Sequence, residues 1–240
     1  MPNPRVNGHK TLIFTPTYNE SENIGLLLRM ILELNLPADI LVVDDNSPDG
    51  TSQVVEKLSN ENTNISLITR KGKEGIGTAH LLALSYAREK GYEILVTMDS
   101  DFSHQPSDIP RFIEASKIHD VIIGSRFTTD ESLKEWNIVR KSITHLGHFL
   151  TKILLGMPFD ASGGLRLYKL NNISPKILNS LDSQHYEFFF ESLFALHKAG
   201  VSIGEVPVNL PARVYGHSKM EIKHIIRGVL RLINLGANKS

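Results

Sequence analysis

The chain has no cysteine among its 240 residues. A disulfide framework, a thiolate metal site and a cysteine nucleophile are therefore excluded, and metal binding falls to carboxylate and imidazole. Neither charge sign is in excess. Lys plus Arg number 26 and Asp plus Glu number 26, which removes the broad basic footprint of a protein that neutralises many nucleic-acid phosphates. There is one tryptophan, no apolar run of the ~18 residues that a membrane span requires, and a polar opening, MPNPRVNGHK, without the apolar core of a signal peptide. These absences predict a cytoplasmic protein, soluble or peripheral on the cytosolic face of a membrane. What is present, 41% hydrophobic and 22% charged residues, sustains a core, and the length suits a single α/β domain over residues 1–240.

Short β-branched runs alternate with helical patterns through the first half. TLIFT from Thr11, ILVVDD from Ile40, ISLIT from Ile65, ILVTMD from Ile94 and DVIIGS from Asp120 are nearly continuously apolar, as strands covered on both faces of a mostly parallel sheet are. Between them Glu22 to Leu34, Thr51 to Leu58, Thr78 to Lys90 and Ser107 to Lys117 read as helices with Ser or Thr near their starts. Beyond residue 125 the alternation fades. A strand at Leu165 to Tyr168, a helix at Glu187 to Lys198, a strand in IGEVPV and a helical tail from Glu221 follow.

In an open α/β sheet ligands bind beyond the carboxyl ends of the strands, and those ends are polar here. TLIFT runs into Pro16-Thr17-Tyr18-Asn19-Glu20, ILVVD into Asp44-Asp45-Asn46-Ser47-Pro48-Asp49-Gly50-Thr51, ILVTM into Asp99-Ser100-Asp101, and DVIIG into Ser125-Arg126. One acid after a strand is ordinarily a helix cap; three acidic clusters and an arginine at one rim point to a site. Asp99-x-Asp101 carries the most, because alternate carboxylates leaving a sheet converge on one hard cation, Mg²⁺ or Mn²⁺, and leave positions open for a diphosphate. His104 could add a ligand but reads better as a polar turn residue. Lys71 to Thr78, KGKEGIGT, is Gly-rich and basic before a helix, without the spacing of a Walker A or dinucleotide fingerprint; it suits either a loop closing over phosphates or a plain connection.

Two later segments are amphipathic. Arg140 to Met157 sets Ile143, Leu146, Phe149, Leu150, Ile153, Leu154 and Met157 on one stripe and Lys141, His145, His148 and Lys152 on another. The tail does the same with Ile222, Ile225, Ile226, Val229, Leu230 and Ile233 against Lys223, Arg227 and Arg231. Such helices pack inward or lie on anionic lipid.

PTYNE, VVDDNSPDGT, GIGTAH, MDSDFSHQP, GSRF, the segment Ser162 to Tyr168 and ARVYGHSK, in this order, resemble the polyprenyl- (dolichyl-) phosphate mannosyltransferases of glycosyltransferase family 2. The resemblance covers roughly residues 11–235. It implies a GT-A fold with a core over about residues 11–215 and a C-terminal helix over about 221–236. The implied reaction is metal-dependent, inverting transfer of mannose from GDP-mannose to a polyprenyl phosphate lipid. It places Pro16, Tyr18, Glu20, Val43 and Asp45 at the base and ribose, and Asp99 and Asp101 on the metal. Ser100 would touch the nucleotide-sugar, Arg126, Arg213 and Lys219 phosphates or sugar, and Arg126, Arg140 and Thr144 the acceptor phosphate. It also implies peripheral membrane contact, with a small membrane subunit in some relatives. The chain departs from the pattern at Ser162-Gly163-Gly164-Leu165-Arg166, where an aromatic is usual, at Ser103, and at Ala212, which touches the sugar and acceptor more than the reaction class. A different donor such as UDP-glucose, a non-catalytic nucleotide-sugar-binding subunit and a nucleotidyltransferase are the competing readings.

Overall fold

The computed structural model describes residues 10–238 except 130–131, 134–135, 137, 182 and 210–221. Among these residues seven strands form one sheet: β1 (Thr11–Thr17), β2 (Ala38–Asp44), β3 (Ile65–Thr69), β4 (Ile94–Thr97), β5 (Val121–Ser125), β6 (Arg166–Lys169) and β7 (Ile203–Pro207). Their order is β3-β2-β1-β4-β6-β5-β7. β1 pairs in parallel with β2 and β4, and β2 with β3, while β6 runs antiparallel between β4 and β5. The sequence successively extends the sheet outward from β1 to β3 and then returns to the other side of β1 with β4. That reversal opens a crevice beyond the carboxyl ends of β1 and β4, where ligands of open α/β sheets bind.

The helices are α1 (Ser21–Glu33), α2 (Thr51–Glu61), α3 (Ile76–Glu89), α4 (Ile109–Ala115), α5 (Ile138–Leu150), α6 (Pro175–Asn179), α7 (Glu187–Lys198) and α8 (Ile222–Ala237). All seven residues of β2 are buried, the mark of a strand covered on both faces. Alternation divides the core accordingly. Leu12, Phe14, Leu41 and Val43 pack with Ala79 and Ala83 of α3 and Phe188 and Leu193 of α7. Ile13, Ile40 and Val42 pack with Ile24, Leu27 and Leu28 of α1, Val55 of α2 and Phe112 of α4. Each such aliphatic or aromatic side chain, fully buried, stabilises the fold by roughly 1.5–3 kcal/mol, so the sheet is a firm platform for the loops at its rim.

Arg166, on the inserted strand, is fully buried. Its guanidinium donates to the carbonyls of Gly163 (2.8 Å), Ala161 (2.9 Å) and Phe189 (2.7 Å) and to Ser192 Oγ (3.0 Å). It thereby ties the Gly-rich turn before β6 to α7. α5 continues through a wide turn at Thr151–Leu155 that ends at Gly156, whose φ of 71° suits glycine. No helix among the described residues is long and apolar enough to cross a membrane.

The apolar stripe of α5 does not turn inward. Ile143, Leu146, Phe149 and Ile153 are exposed, as are Ile226, Val229, Leu230 and Ile233 of α8. Of the same stripe only Met157 is fully buried, and Leu150 and Leu154 pack partly against the core. His145 and His148, on the other side of α5, pack on Phe127, His148 stacked at 4.0 Å between centroids.

Candidate active site

The loops leaving β1, β2 and β4 meet around a cavity of about 460 Å³. Pro16, Thr17, Tyr18 and Glu20 line it from β1, Asp45 from β2, and Asp99, Ser100 and Asp101 from β4. The loops are bent sharply to do so: Asn19, Asn46 and Phe102 all have φ between 54° and 60°. Asparagine tolerates that region, but for phenylalanine it is an outlier, which the packed surroundings must hold in place.

The acid-rich segment after β2 divides its carboxylates between tasks. Asp44 is fully buried and accepts from Thr17 Oγ1 (2.8 Å), Ser47 N (2.9 Å), Ser47 Oγ (2.6 Å) and Ser52 Oγ (2.8 Å). Asp49 accepts from the Thr51 hydroxyl (2.6 Å) and from the backbone N–H groups of Thr51 and Ser21, both at 3.0 Å. These two fasten the rim. Asp45 alone of the three lines the cavity, where Arg70, at the end of β3, is hydrogen-bonded and ion-paired to it. Burial pushes the Asp45 carboxyl above the ordinary range; the Arg70 charge and hydrogen bond pull it back only part of the way, and neighbouring Asp44 adds to the rise.

Arg70 is the principal site residue that the strand-end argument passes over, because nothing in ITRKGKE distinguishes it from its basic neighbours. It also donates to Thr78 Oγ1 (2.6 Å) and to the Gly75 carbonyl (3.0 Å), so one guanidinium joins β2, β3 and the start of α3. The glycines of that loop serve close packing. A Cβ at Gly75, whose φ is 102°, would lie 2.4 Å from the Gln184 carbonyl, and one at Gly77 2.6 Å from that of Ser183. Ahead of both the loop presents Lys73, whose ammonium sits 4.5 Å over the Tyr18 ring. The loop is thus both a packed connection and a basic wall of the cavity.

Asp99 and Asp101 face the cavity from β4. Ser103 holds Asp101 Oδ1 through its backbone N–H (3.1 Å) and hydroxyl (2.6 Å). The His104 ring accepts the Asp99 backbone N–H at Nδ1 (3.0 Å), which makes it the turn residue expected. Gly164 stands against Asp99: a Cβ there would be 3.0 Å from Asp99 Oδ1, so the glycine leaves room for the carboxylate. Among the described residues no group of three or more His, Asp or Glu surrounds a single point. Two carboxylates opening on a polar cavity fit a small hard cation that keeps several positions for water and substrate phosphate.

Other expected residues lie elsewhere. Val43 is fully buried in the core, since the sheet's alternation turns its side chain away from the rim. Arg126 is not among the cavity-lining residues; it is buried against Asp160 and Ser162. Thr144 lies on α5 and is not part of the cavity wall. Arg140 belongs to the first turn of α5, but its side chain lies outside the described residues, as do Arg213 and Lys219 entirely. The opposite wall comes from residues not singled out for it: His185 and Tyr186 ahead of α7, and His224 and Arg227 of α8.

Comparison with known proteins agrees with this geometry. Residues 12–174 match glycosyl transferase family 2. An undecaprenyl-phosphate mannosyltransferase of Micrococcus luteus is 35% identical over 212 residues, covering 88% of this chain and 87% of the relative. A polyprenol monophosphomannose synthase of Mycolicibacterium smegmatis is 31% identical over 230 residues, 95% of this chain and 87% of the relative. The glucosyl-3-phosphoglycerate synthase of Mycobacterium tuberculosis, solved with Mn²⁺ and UDP-glucose, shares the fold at a TM-score of 0.69 and 17% identity, over 95% of this chain and 80% of that one. With a family match over most of its length and relatives aligned along nearly all of it, the chain belongs to glycosyl transferase family 2 and is a glycosyltransferase of GT-A type.

Proposed function

We propose that the chain moves mannose from GDP-mannose to the phosphate of a polyprenyl lipid, with Mg²⁺ or Mn²⁺ held by Asp99 and Asp101. The observation that carries this reading is the charge layout of one cavity. Carboxylates Glu20, Asp45, Asp99 and Asp101 come from the strand ends, and Arg70, Lys73 and Arg227 stand around the same space. That arrangement suits a nucleoside diphosphate whose phosphates need both a cation bridge and direct positive charge. The names of the relatives supply the sugar and the lipid class.

The ion, when bound, neutralises the diphosphate and stabilises the departing nucleotide. The chain's own residues do the rest. Tyr18 offers a ring face to the base, and Pro16 and Glu20 border the same end of the cavity. Asp45, oriented by Arg70, accepts hydrogen bonds from base or ribose, and Ser100, whose hydroxyl donates to the Pro16 carbonyl at 3.2 Å, keeps the β1 and β4 loops in register. Lys73 meets phosphate oxygens as a mobile point charge. A phosphate monoester is already anionic near neutral pH, so the acceptor needs no strong base; it needs cations that offset repulsion between the two phosphate groups. Arg140, Arg213 and Lys219 are proposed for that task from the family pattern.

The membrane contact implied by such an acceptor falls to α5 and α8. Their exposed apolar side chains form two stripes, and the two helices contain no acidic residue between Ile138 and Leu155 or between Ile222 and Ala237. Exposed apolar stripes on helices that carry cations and no acid suit anionic lipid.

Incubating the purified chain with labelled GDP-mannose or UDP-glucose, polyprenyl phosphate and Mg²⁺ or Mn²⁺, and counting lipid-extractable sugar, tests the proposal. Label in the lipid phase from GDP-mannose, lost on chelation, is expected. Transfer from UDP-glucose alone would overturn the mannose assignment, and no transfer from either would favour a binding subunit.

A further inference from the structure

α8 has two working faces, and the cavity and the exposed stripe lie on opposite sides of it. On the inner side His224 and Arg227 line the cavity, and the His224 ring lies 5.3 Å from that of Tyr186 and 5.7 Å from that of His185. Further along, Arg231 pairs with the buried Glu191 of α7, Leu232 is buried, and Gly236 approaches so closely that a Cβ there would sit 3.3 Å from Leu154. At helical spacing, Ile226, Val229, Leu230 and Ile233 fall on the far side and are exposed, Leu230 by 63%. The helix is joined to the exposed stripe of α5 through Leu154, which belongs to the turn that ends α5.

We infer that α8 couples the bilayer to the cavity. Its outer face seats on anionic lipid, and its inner edge supplies Arg227, with His224 beside it, as a ligand for substrate phosphate. This rests on the proposed lipid-phosphate reaction and adds residues and a regulation to it. Charge picks the bilayer as occupant: the face is apolar, and neither α8 nor the adjoining α5 and its turn carries an acid that anionic headgroups would repel. Phosphate is picked by the inner edge, since a guanidinium offers paired donors to phosphate oxygens and Arg227 shares the cavity with Asp99 and Asp101, where the metal and diphosphate are proposed. Because a helix moves as a rigid body, holding its outer face against lipid fixes Arg227 and His224 at the rim. Coupling between two ligands is reciprocal, so lipid contact raises phosphate affinity and phosphate raises lipid affinity.

Calorimetric titration tests this without requiring turnover. The two probes are GDP with Mg²⁺ for the donor and isopentenyl phosphate, which stays in water, for the acceptor; each is measured with and without phosphatidylglycerol vesicles. In the wild type, vesicles are expected to tighten at least one probe about fivefold or more, the lower end of ordinary allosteric coupling, and neutral phosphatidylcholine vesicles are expected to do much less. Leu230→Ser combined with Ile233→Ser keeps the vesicle-free affinities and loses the gain. Arg227→Gln weakens the probe whose phosphate it holds about tenfold even without vesicles, and the probe affected tells donor from acceptor. Equal affinities with and without vesicles, or an Arg227→Gln variant that binds both probes as the wild type does, would overturn the inference. Failure of sugar transfer with this coupling intact would instead count against the proposed reaction.

Discussion

Arg126 is gripped by Asp160 through two parallel hydrogen bonds, Nε to Oδ2 at 2.7 Å and Nη2 to Oδ1 at 2.6 Å, and the same carboxylate accepts the Arg126 backbone N–H at 3.0 Å. Burial works to raise the Asp160 carboxyl, but the Arg126 charge and hydrogen bonds outweigh it and hold the group below its usual value. Asp160 in turn receives its position from Glu205 on β7, whose Oε1 accepts the Asp160 N–H at 3.0 Å. The end of β5 is therefore braced against the turn before β6 by a buried ion pair.

From this pair follows a stability prediction. Asp160→Asn leaves a buried guanidinium without its counter-charge, a change that costs about 3–5 kcal/mol, read as a lower urea midpoint. The sign with pH is fixed by the depressed carboxyl: the contribution is present above the unfolded-state value, about 3.9, and is lost as pH falls through the lower folded value. The variant should thus lose less stability than the wild type on acidification. An Arg126→Gln variant that folds with wild-type stability and shows only a raised acceptor KM would return Arg126 to the phosphate role that the family resemblance implied.

The contrast between Arg126 and Arg70 shows what a sequence of this kind makes legible. Strand-end acids were readable because the parallel sheet's continuous apolar runs locate the rim, and Asp45, Asp99 and Asp101 do line one cavity. The elements themselves were readable for the same reason, with β1 to β5 at the expected runs. The antiparallel insertion of β6 was not, because pairing direction is set by where the chain returns and not by local pattern. Nor were the roles of cations. Whether an arginine meets a phosphate or a buried carboxylate depends on a partner distant in sequence: Asp160 for Arg126, Asp45 for Arg70. The outward turn of the α5 and α8 stripes likewise depends on what the other face of each helix finds to pack against.

Asp101→Asn is expected to lower transfer by about two orders of magnitude or more, given the several kcal/mol that a cation bridge contributes at developing charge. The fold should survive, since Ser103 can still donate to the remaining carbonyl oxygen. Chelation of the wild type should match the loss, and raising Mg²⁺ or Mn²⁺ should restore it in the wild type and poorly in the variant. Initial rates across metal concentration, with circular dichroism as the folding control, check this. Undiminished transfer by Asp101→Asn would refute the metal assignment.

Arg70→Gln removes the charge that opposes the rise of the Asp45 carboxyl. With burial and Asp44 left unopposed, Asp45 should hold its proton to higher pH. The acid limb of kcat/KM for the donor therefore moves upward in pH, while kcat at saturating donor changes little. Loss of Arg70's bonds to Thr78 and Gly75 would alone lower donor affinity at every pH. The displaced limb separates the two causes. A uniform loss, parallel to the wild-type profile, would show that Arg70 acts through the loop and not through Asp45.

His80 offers the clearest test of packing against charge. It is enclosed by Phe14, Phe188 and Phe189, with ring centroids 5.1, 5.3 and 5.1 Å away, and its Nε2 has no hydrogen-bond partner. Burial, aided by the positive charge of Arg166, drives its pKa down to about 3. A histidine that stays neutral when folded but takes up a proton when unfolded loses stability as pH falls from the unfolded value of about 6.5 toward the folded one, by up to ~1.4 kcal/mol per pH unit. Below the folded value the loss is complete. His80→Leu, similar in volume and without a titratable group, should therefore gain on the wild type between pH 6.5 and about 4.5, before most carboxylates titrate, with the two converging toward a constant difference above pH 7. Urea midpoints at half-unit intervals read the slope directly. Parallel curves for the two proteins would mean that the folded chain accommodates the imidazolium among the three rings.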